Sequence, residues 1–380
     1  MLRQPVAVND SITVLSNSYR SMKRIYALLA AISVMFPSMG QTTQKFTASK
    51  LNEYGLVYTL PLTVVNVTVE VERSVSTPGE FYRYAKKYLN MEPVVKPSVS
   101  HKVKSVVVTT SGQADEQQRY LVQFKSGSSP FIMLTDSDFP VALNTEEVPQ
   151  PSAVKLPSAR AAEPTVLQTP AAAQAVTAEM LQSSSSAKRA ELAAARIYEL
   201  RQSRSDIISG SADQMPSDGQ AMKLALDNLA AQEAALTAMF VGTEQTSTQV
   251  RTYAWTPGND DESVVIARVS ATDGLVDADD LSGDPLYLDF KVTAQAEMPR
   301  NDKGEEKRFP KGGLAYRIPG SADVSVTYAG EQVAEAQCEV AQLGVVFGLE
   351  PGLFTDKKAP AYATFDPATG AIITLGTKNP

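Results

Sequence analysis

The sequence contains very few residues of the kinds that build metal and nucleophile sites. Its 380 residues include one cysteine, one histidine and one tryptophan. A structural zinc site takes four ligands, mostly cysteine or histidine, so the chain cannot supply one. Cys338 is alone, which excludes an intrachain disulfide. The hydrophobic cores must therefore be held together by packing.

Recognisable catalytic motifs are also missing. The sequence has no Gly-x-Ser-x-Gly elbow and no glycine-rich phosphate loop. His101 lies just ahead of a predicted strand, with no presented nucleophile to serve. Cys338 is in phase with Ala336 and Val340, which places it on the apolar side of a predicted strand as a core residue. We therefore predict no catalytic residue, no cofactor-binding residue and no enzyme.

The charge balance narrows the choice of ligand. The chain has 35 lysines and arginines against 42 aspartates and glutamates, with no basic cluster long enough to suggest a nucleic-acid surface. Carbohydrate sites usually depend on aromatic platforms, and Trp255 is the only tryptophan. The many acids could still include the carboxylate pair of a glycoside hydrolase. Glycan binding or processing is therefore the alternative to a non-enzymatic binding protein.

One acidic segment is a candidate calcium site. Calcium takes six to eight oxygen ligands, often several from one loop, but the spacing here does not match an EF-hand. A solvated turn between strands is the favoured interpretation. The calcium ligands of the alternative would be five aspartates within twelve residues: Asp273, Asp277, Asp279, Asp280 and Asp284.

The N-terminus has the pattern of a secretory signal peptide. Lys23 and Arg24 precede a predominantly apolar run of twelve residues, 25–36, and small residues lead to a predicted cleavage after Gly40. Met22 is the alternative start of translation, because residues 1–21 lack this order. The residue directly after the predicted cleavage point is Gln41 and no cysteine lies near it, so N-terminal lipidation is not expected. No later apolar run is long enough to span a membrane.

The N-terminal region, residues 41–144, predicts a β-rich domain. A capping box over residues 77–80 predicts one short helix. The polar run 111–118 predicts a turn that joins strands over 102–110 and 119–125 as a hairpin. Apolar residues at every second position predict a strand with one buried face: Val65, Val67, Val69 and Val71.

Two further regions follow from composition and spacing. Five prolines between residues 145 and 174 disfavour both helix and sheet and predict an extended linker. Residues 241–380 contain short apolar runs separated by turn residues, which predict a C-terminal β domain of the sandwich or stacked-sheet type. The whole chain is therefore predicted to be α+β.

A long helical hairpin is predicted between them, over residues 175–240. Ser209-Gly210 ends the first helix, and a capping box from Ser217 to Gln220 begins the second. The hairpin either packs on its own protein or protrudes as an arm that grips a partner. The apolar stripe of the second helix supplies the candidate interaction residues: Met222, Leu226, Leu229 and Leu236.

A short internal echo links the two β regions. Residues 55–61, Gly-Leu-Val-Tyr-Thr-Leu-Pro, resemble residues 313–319, Gly-Leu-Ala-Tyr-Arg-Ile-Pro, and an alternating strand follows each. We interpret them as two related β units joined in a pseudo-symmetric pair, and the alternative is a chance similarity of two strand entries.

The order of several segments resembles that of an uncharacterised family of exported proteins from Bacteroidetes. The resemblance rests on residues 58–61 with the valine strand, 78–89, 191–208 and 239–242. It implies a cell-envelope protein of unknown function and carries no catalytic residues. We therefore expect a periplasmic or outer-membrane-associated protein that binds a protein partner as an accessory or scaffold subunit.

Overall fold

The computed structural model describes residues 42–45, 55–123, 131–149, 154–355 and 360–377. The signal peptide predicted within residues 1–40 lies outside them. The strands are β1 (Thr42–Lys45), β2 (Leu56–Thr77), β3 (Ser98–Gln123), β4 (Ile132–Leu134), β5 (Pro140–Leu143), β6 (Thr243–Trp255), β7 (Glu262–Ser270), β8 (Gly274–Val276), β9 (Gly283–Ala294), β10 (Leu314–Tyr328), β11 (Glu331–Leu349), β12 (Ala361–Phe365) and β13 (Ile372–Thr377). The α-helices are α1 (Ala85–Leu89), α2 (Pro170–Ala175), α3 (Ala178–Gln182), α4 (Ser186–Ser209), α5 (Gly219–Val241) and α6 (Gly352–Thr355), and 3₁₀ helices cover Tyr82–Tyr84 and Val166–Gln168.

The strands form three antiparallel sheets. Sheet A has the order β1-β3-β2-β6, sheet B the order β11-β10-β9-β7-β8, and sheet C the order β13-β12-β5-β4. The β-rich α+β class predicted from the sequence is confirmed. Strand β6 pairs with β2, and β12 pairs with β5. The predicted β regions 41–144 and 241–380 therefore share two of their sheets.

The main core lies between sheets A and B. The alternating valines of β2 are all fully buried, as their spacing predicts, and they pack against apolar side chains of β7, β9, β10 and β11. Trp255 of sheet A meets Phe290 of sheet B edge to face, with ring centroids 5.5 Å apart. This shared core excludes two separately buried β domains.

Sheets A and B repeat one strand arrangement. The order β3-β2-β6 in sheet A corresponds to β11-β10-β9 in sheet B. The echoed segments 55–61 and 313–319 lie at the starts of β2 and β10, and each strand has a register shift at its proline, Pro61 or Pro319. This correspondence supports the interpretation of two related β units.

The predicted turn over residues 111–118 is wrong. Strand β3 runs through these residues without a break, and Ser111 and Ala114 pair with Val64 and Pro61 of β2. Residues 111–114 pair with β2, whereas residues 115–118 lie in a register shift between Thr59 and Pro61 and have no ladder partner on that strand. Polar side chains are tolerated there because most of them are at least partly exposed.

The capping box predicted over residues 77–80 is also wrong. Thr77 is the last residue of β2, and the 3₁₀ helix follows an N-cap at Phe81 that has no side-chain cap. The Phe81 amide donates to the Met239 carbonyl at 2.7 Å. A Cβ on Gly79 would lie 2.3 Å from that carbonyl oxygen. Contact with the end of α5, rather than a local cap, therefore sets this turn.

The proline-rich segment follows a defined path along the edge of sheet A. Arg160 exchanges two backbone hydrogen bonds with Thr248 of β6, at 3.2 and 2.9 Å. The expectation that its composition disfavours helix is wrong at Pro170, which stands in the first turn of α2. Proline is tolerated there because the first amides of a helix have no intrahelical acceptor.

Helices α4 and α5 pack against each other after this segment. Gly210 ends α4 in the left-handed conformation, with φ of 76°. Helix α5 begins from Asp218, whose carboxylate accepts the Ala221 amide at 2.7 Å, and not from Ser217 as predicted. An aspartate beside the serine offers the same kind of acceptor one position later.

Candidate functional site

The pair α4 and α5 is buried at one end only. Its buried residues are Ala190, Ala193, Ala194, Ile197 and Leu200 on α4, and Ala235, Leu236, Ala238 and Phe240 on α5. Between Arg201 and Ala234 no residue is buried. We call residues 201–234 the distal arm. Its part of α5 spans about 24 Å at 1.5 Å per residue.

The buried end is fixed to α1, α2, α3 and the turn that follows β2. Phe81, Ala85 and Met180 share its core, and the rings of Phe81 and Phe240 lie 5.4 Å apart. The Val94 amide donates to the Val241 carbonyl at 2.8 Å. The distal arm is therefore carried on an anchored base.

Glu233 connects the two helices at the start of the distal arm. Its carboxylate accepts a hydrogen bond from Arg201 Nε at 2.7 Å and pairs with Arg204 Nη1 at 3.1 Å. The Glu233 side chain is only 15% exposed. This contact explains why a glutamate interrupts the apolar stripe of α5.

The four predicted interaction residues divide into two groups. Leu236 lies in the buried core at the base, and Leu229 packs against that core. Both therefore hold the arm in place. Met222 and Leu226 are half-buried on the distal arm. The most exposed apolar side chains of the distal arm are others: Leu224 at 71%, Ile208 at 69% and Met215 at 42%.

Sequence reasoning missed these three residues because they lie off the periodic stripe. Leu224 follows Met222 by two positions, which turns it about 200° around the helix axis. The only local signal for Leu224 is that an apolar residue stands on the outward, polar side of an amphipathic helix.

Three of the five aspartates of the calcium alternative make separate contacts, among them Asp273, which accepts a hydrogen bond from Thr272 Oγ1 at 2.6 Å. Asp277 pairs with Arg251 at 3.5 Å, and Asp280 accepts the Ser282 amide at 3.0 Å. That backbone hydrogen bond lowers the pKa of Asp280. Within the described ranges, no three acidic, histidine or cysteine side chains are grouped to hold a metal ion. The structure does not bring this set together as a calcium site.

His101 and Cys338 occupy structural positions. The His101 Nδ1 atom lies 2.9 Å from the Ala271 carbonyl oxygen, which links β3 to the turn after β7. Cys338 is 7% exposed in the core between sheets A and B. Burial raises the pKa of its thiol, which keeps the sulfur in its unreactive protonated form.

A buried ion pair lies where the three sheets meet. Arg317 of β10 contacts Asp115 of β3 and donates from Nη1 to the Ala341 carbonyl at 3.1 Å. Desolvation lowers the pKa of Arg317, and the neighbouring carboxylate opposes that shift. Thr63 bonds the Ala368 carbonyl at 3.1 Å, which ties β2 to the hairpin β12–β13. No sequence motif marks this pair, because its members lie on strands from opposite ends of the chain.

A cleft of about 370 Å³ lies between the proline-rich segment and the start of β6. Arg160 and Glu163 form an ion pair within it. Its lining consists of Arg160, Glu163, Pro164, Thr165, Val166, Gly242, Thr243, Glu244, Gln245 and Thr246. None of these is aromatic, so the cleft lacks the stacking platform on which carbohydrate sites usually depend.

No helix in the described ranges is long and apolar enough to cross a membrane.

Comparison with known proteins places the chain in a family. No curated protein and no solved structure matches the sequence. A family model described as a domain of unknown function, DUF4831, matches residues 54–373. Because this match covers most of the sequence, the chain belongs to the DUF4831 family.

Proposed function

We propose that this protein is an exported, non-enzymatic component of a bacterial cell envelope, of the Bacteroidetes type. It acts as an accessory or scaffold subunit of an outer-membrane-associated assembly and binds a protein partner through its distal arm. The observation that carries the proposal is the pairing of an anchored base with an arm that exposes Leu224 and Ile208. The signal-peptide pattern before Gln41 supports export.

The energetic argument rests on the exposed apolar side chains. Complete burial of one leucine or isoleucine contributes about 1.5–3 kcal/mol. Leu224 and Ile208 could together supply several kcal/mol of binding free energy to a partner that covers them. The fixed base limits the entropy lost when the arm is bound. Recognition of a helix through its apolar face is a common mode of protein association.

Site-specific photocrosslinking in living cells tests the proposal. A photoreactive amino acid at position 224 should give discrete crosslinked products with envelope proteins. The matched control is position 281, because Leu281 is 80% exposed but lies in the acidic segment. Discrete products from position 224 and none from position 281 would support docking through the distal arm.

A double substitution on the distal arm distinguishes specific docking through exposed apolar side chains from non-specific adhesion of the arm. Ile208→Asp with Leu224→Asp should abolish copurification of the crosslinked partner without changing the melting temperature, because neither side chain is buried. Gln202→Ala with Gln220→Ala on the same arm should leave copurification intact. If the aspartate variant still recovers the same partner, the arm is not the docking element. If neither the original protein nor the variant recovers a specific partner, glycan binding becomes the better hypothesis.

A further inference from the structure

The connection between β2 and β3 carries charge of the opposite sign from the chain as a whole. Residues 80–104 contain six lysines and arginines and two glutamates, whereas the full chain has 35 basic and 42 acidic side chains. This stretch contains α1, the loop that follows it and the first part of β3. Positive charge is therefore concentrated at this end of sheet A.

Four of these cations have no carboxylate partner among the described residues: Lys102 on β3 and three that precede that strand. Arg83, Lys87 and Lys96 are all exposed and form none of the ion pairs found there. By contrast, Lys86 pairs with Glu92 at 2.6 Å, and Lys104 pairs with Glu72 at 2.9 Å. The three charges are therefore free to meet an anionic ligand.

Tyrosine rings accompany two of the free cations. Arg83 Nε donates to the Tyr82 hydroxyl at 3.1 Å, and its guanidinium carbon lies 5.6 Å from the ring centroid. Lys87 Nζ lies 4.8 Å from the centroid of the Tyr88 ring. Tyrosine is enriched where a protein meets the headgroup layer of a membrane, because its ring is apolar and its hydroxyl is polar.

Exposed apolar side chains lie between the cations in the sequence. Met91 is 39% exposed, Val95 58% and Val99 42%. They do not line the cleft beside β6. Side chains of this kind beside lysine and arginine suit the boundary between headgroups and acyl chains, where both find a favourable environment.

We infer that this surface docks the protein on an anionic lipid bilayer. The docking surface comprises Arg83, Lys87, Met91, Val95, Lys96 and Val99. Its charge complements phosphate headgroups, while the acidic remainder of the chain is repelled by them. An anionic membrane therefore favours the orientation in which this surface faces the lipid. The inference concerns a different surface and ligand from the distal arm, and it does not depend on that proposal.

Flotation of the purified protein with lipid vesicles tests the inference. Vesicles of phosphatidylcholine with about 30% phosphatidylglycerol should bind the protein at least about tenfold more tightly than phosphatidylcholine alone. Binding should fall at least about tenfold at about 0.5 M salt, since ions screen exposed charges. Equal binding to both kinds of vesicle would overturn the inference.

Two sets of variants examine the charged and apolar contributions separately. Arg83→Glu, Lys87→Glu and Lys96→Glu together should abolish binding, and Met91→Ser with Val95→Ser should weaken it about fivefold or more. The matched control is Lys303→Glu, Lys307→Glu and Lys311→Glu, three exposed cations in the loop between β9 and β10. The control should bind like the original protein, and melting curves should show that every variant is folded.

Competition with a soluble polyanion separates lipid binding from general binding of anions. Dextran sulfate should displace the protein from vesicles only incompletely, because it cannot take up the apolar side chains. Complete displacement, together with unchanged binding of the Met91→Ser and Val95→Ser variant, would overturn the membrane assignment in favour of an anionic polymer. The Ile208→Asp and Leu224→Asp variant should bind vesicles normally, which keeps this test independent of the distal arm.

Discussion

The hydroxyl of Tyr58 makes two hydrogen bonds with the backbone of Ala315. It accepts the Ala315 amide at 2.7 Å and donates to the Ala315 carbonyl at 3.3 Å. Both residues are fully buried. They belong to the two echoed segments, so a single side chain joins the starts of β2 and β10.

Substitution of Tyr58 by phenylalanine should lower the free energy of unfolding by about 1–3 kcal/mol. The ring can still pack, but the Ala315 amide and carbonyl lose their partner inside the core. Urea unfolding followed by circular dichroism gives the value. Tyr287→Phe is the control, since Tyr287 is 44% exposed and should change stability little. Equal effects of the two substitutions would show that the hydrogen bonds to Ala315 contribute nothing.

Stability should fall steeply above about pH 10, the ordinary pKa of tyrosine. Burial raises the pKa of Tyr58 well above that value. A group whose pKa is raised by folding stabilises the protein while protonated, and this contribution is lost as pH rises from the unfolded-state pKa through the folded one.

Melting temperatures between pH 8 and pH 12 test this expectation. The Tyr58→Phe variant should lose less stability than the original protein over the alkaline part of that range. Parallel curves for the two proteins would exclude Tyr58 as the responsible group.

Removal of the Asp115 carboxylate should be among the most damaging single changes. In Asp115→Ala the guanidinium of Arg317 would stay buried without its counter-ion, and breaking a buried pair in this way typically costs about 3–5 kcal/mol. Chemical denaturation measures the loss. In the double variant Asp115→Leu with Arg317→Met neither charge remains, so it should be more stable than Asp115→Ala. A double variant that is less stable than the single one would contradict this account.

Substitution of Gly79 by alanine should loosen the helical pair from sheet A. The added Cβ would lie 2.3 Å from the Met239 carbonyl oxygen, so the end of α5 must move. Crowding of this kind costs about 1–3 kcal/mol. Hydrogen exchange should show faster exchange in α4 and α5, with the valine core of β2 still protected. Gly219→Ala is the control, because nothing lies within 4 Å of its Cβ position. Unchanged exchange in Gly79→Ala would mean that this contact does not anchor the helices.

Local patterns in the sequence predicted where strands and helices lie better than they predicted which of these elements pair or pack together. The period of two in residues 65–71 identified a buried strand, because every second side chain of a strand faces the same side. Residues 111–118 were predicted to be a turn because their polarity is local information, whereas the pairing of residues 111–114 with β2 is not visible in the local sequence. The same limit applied at Gly79, where a contact with α5 replaced the expected cap.

The candidate site shows this limit most clearly. Periodicity identified the stripe from Met222 to Leu236, but it could not distinguish the part that is covered by α4 and α2 from the part that is left open. Leu236 was predicted to bind a partner and is instead in the core. The pairing of Arg317 with Asp115 leaves no trace in either local sequence, because it depends on how three sheets meet.

The shared core also has a consequence for the order of events during folding. The valines of β2 are synthesised early, but the apolar strands β9, β10 and β11 that cover them end only at Leu349. Strand β5 can pair only later still, because its partner β12 ends at Phe365. Contacts between residues so far apart form slowly, since long loops must close first. A nascent chain therefore keeps its earliest strands exposed until almost all of it has emerged.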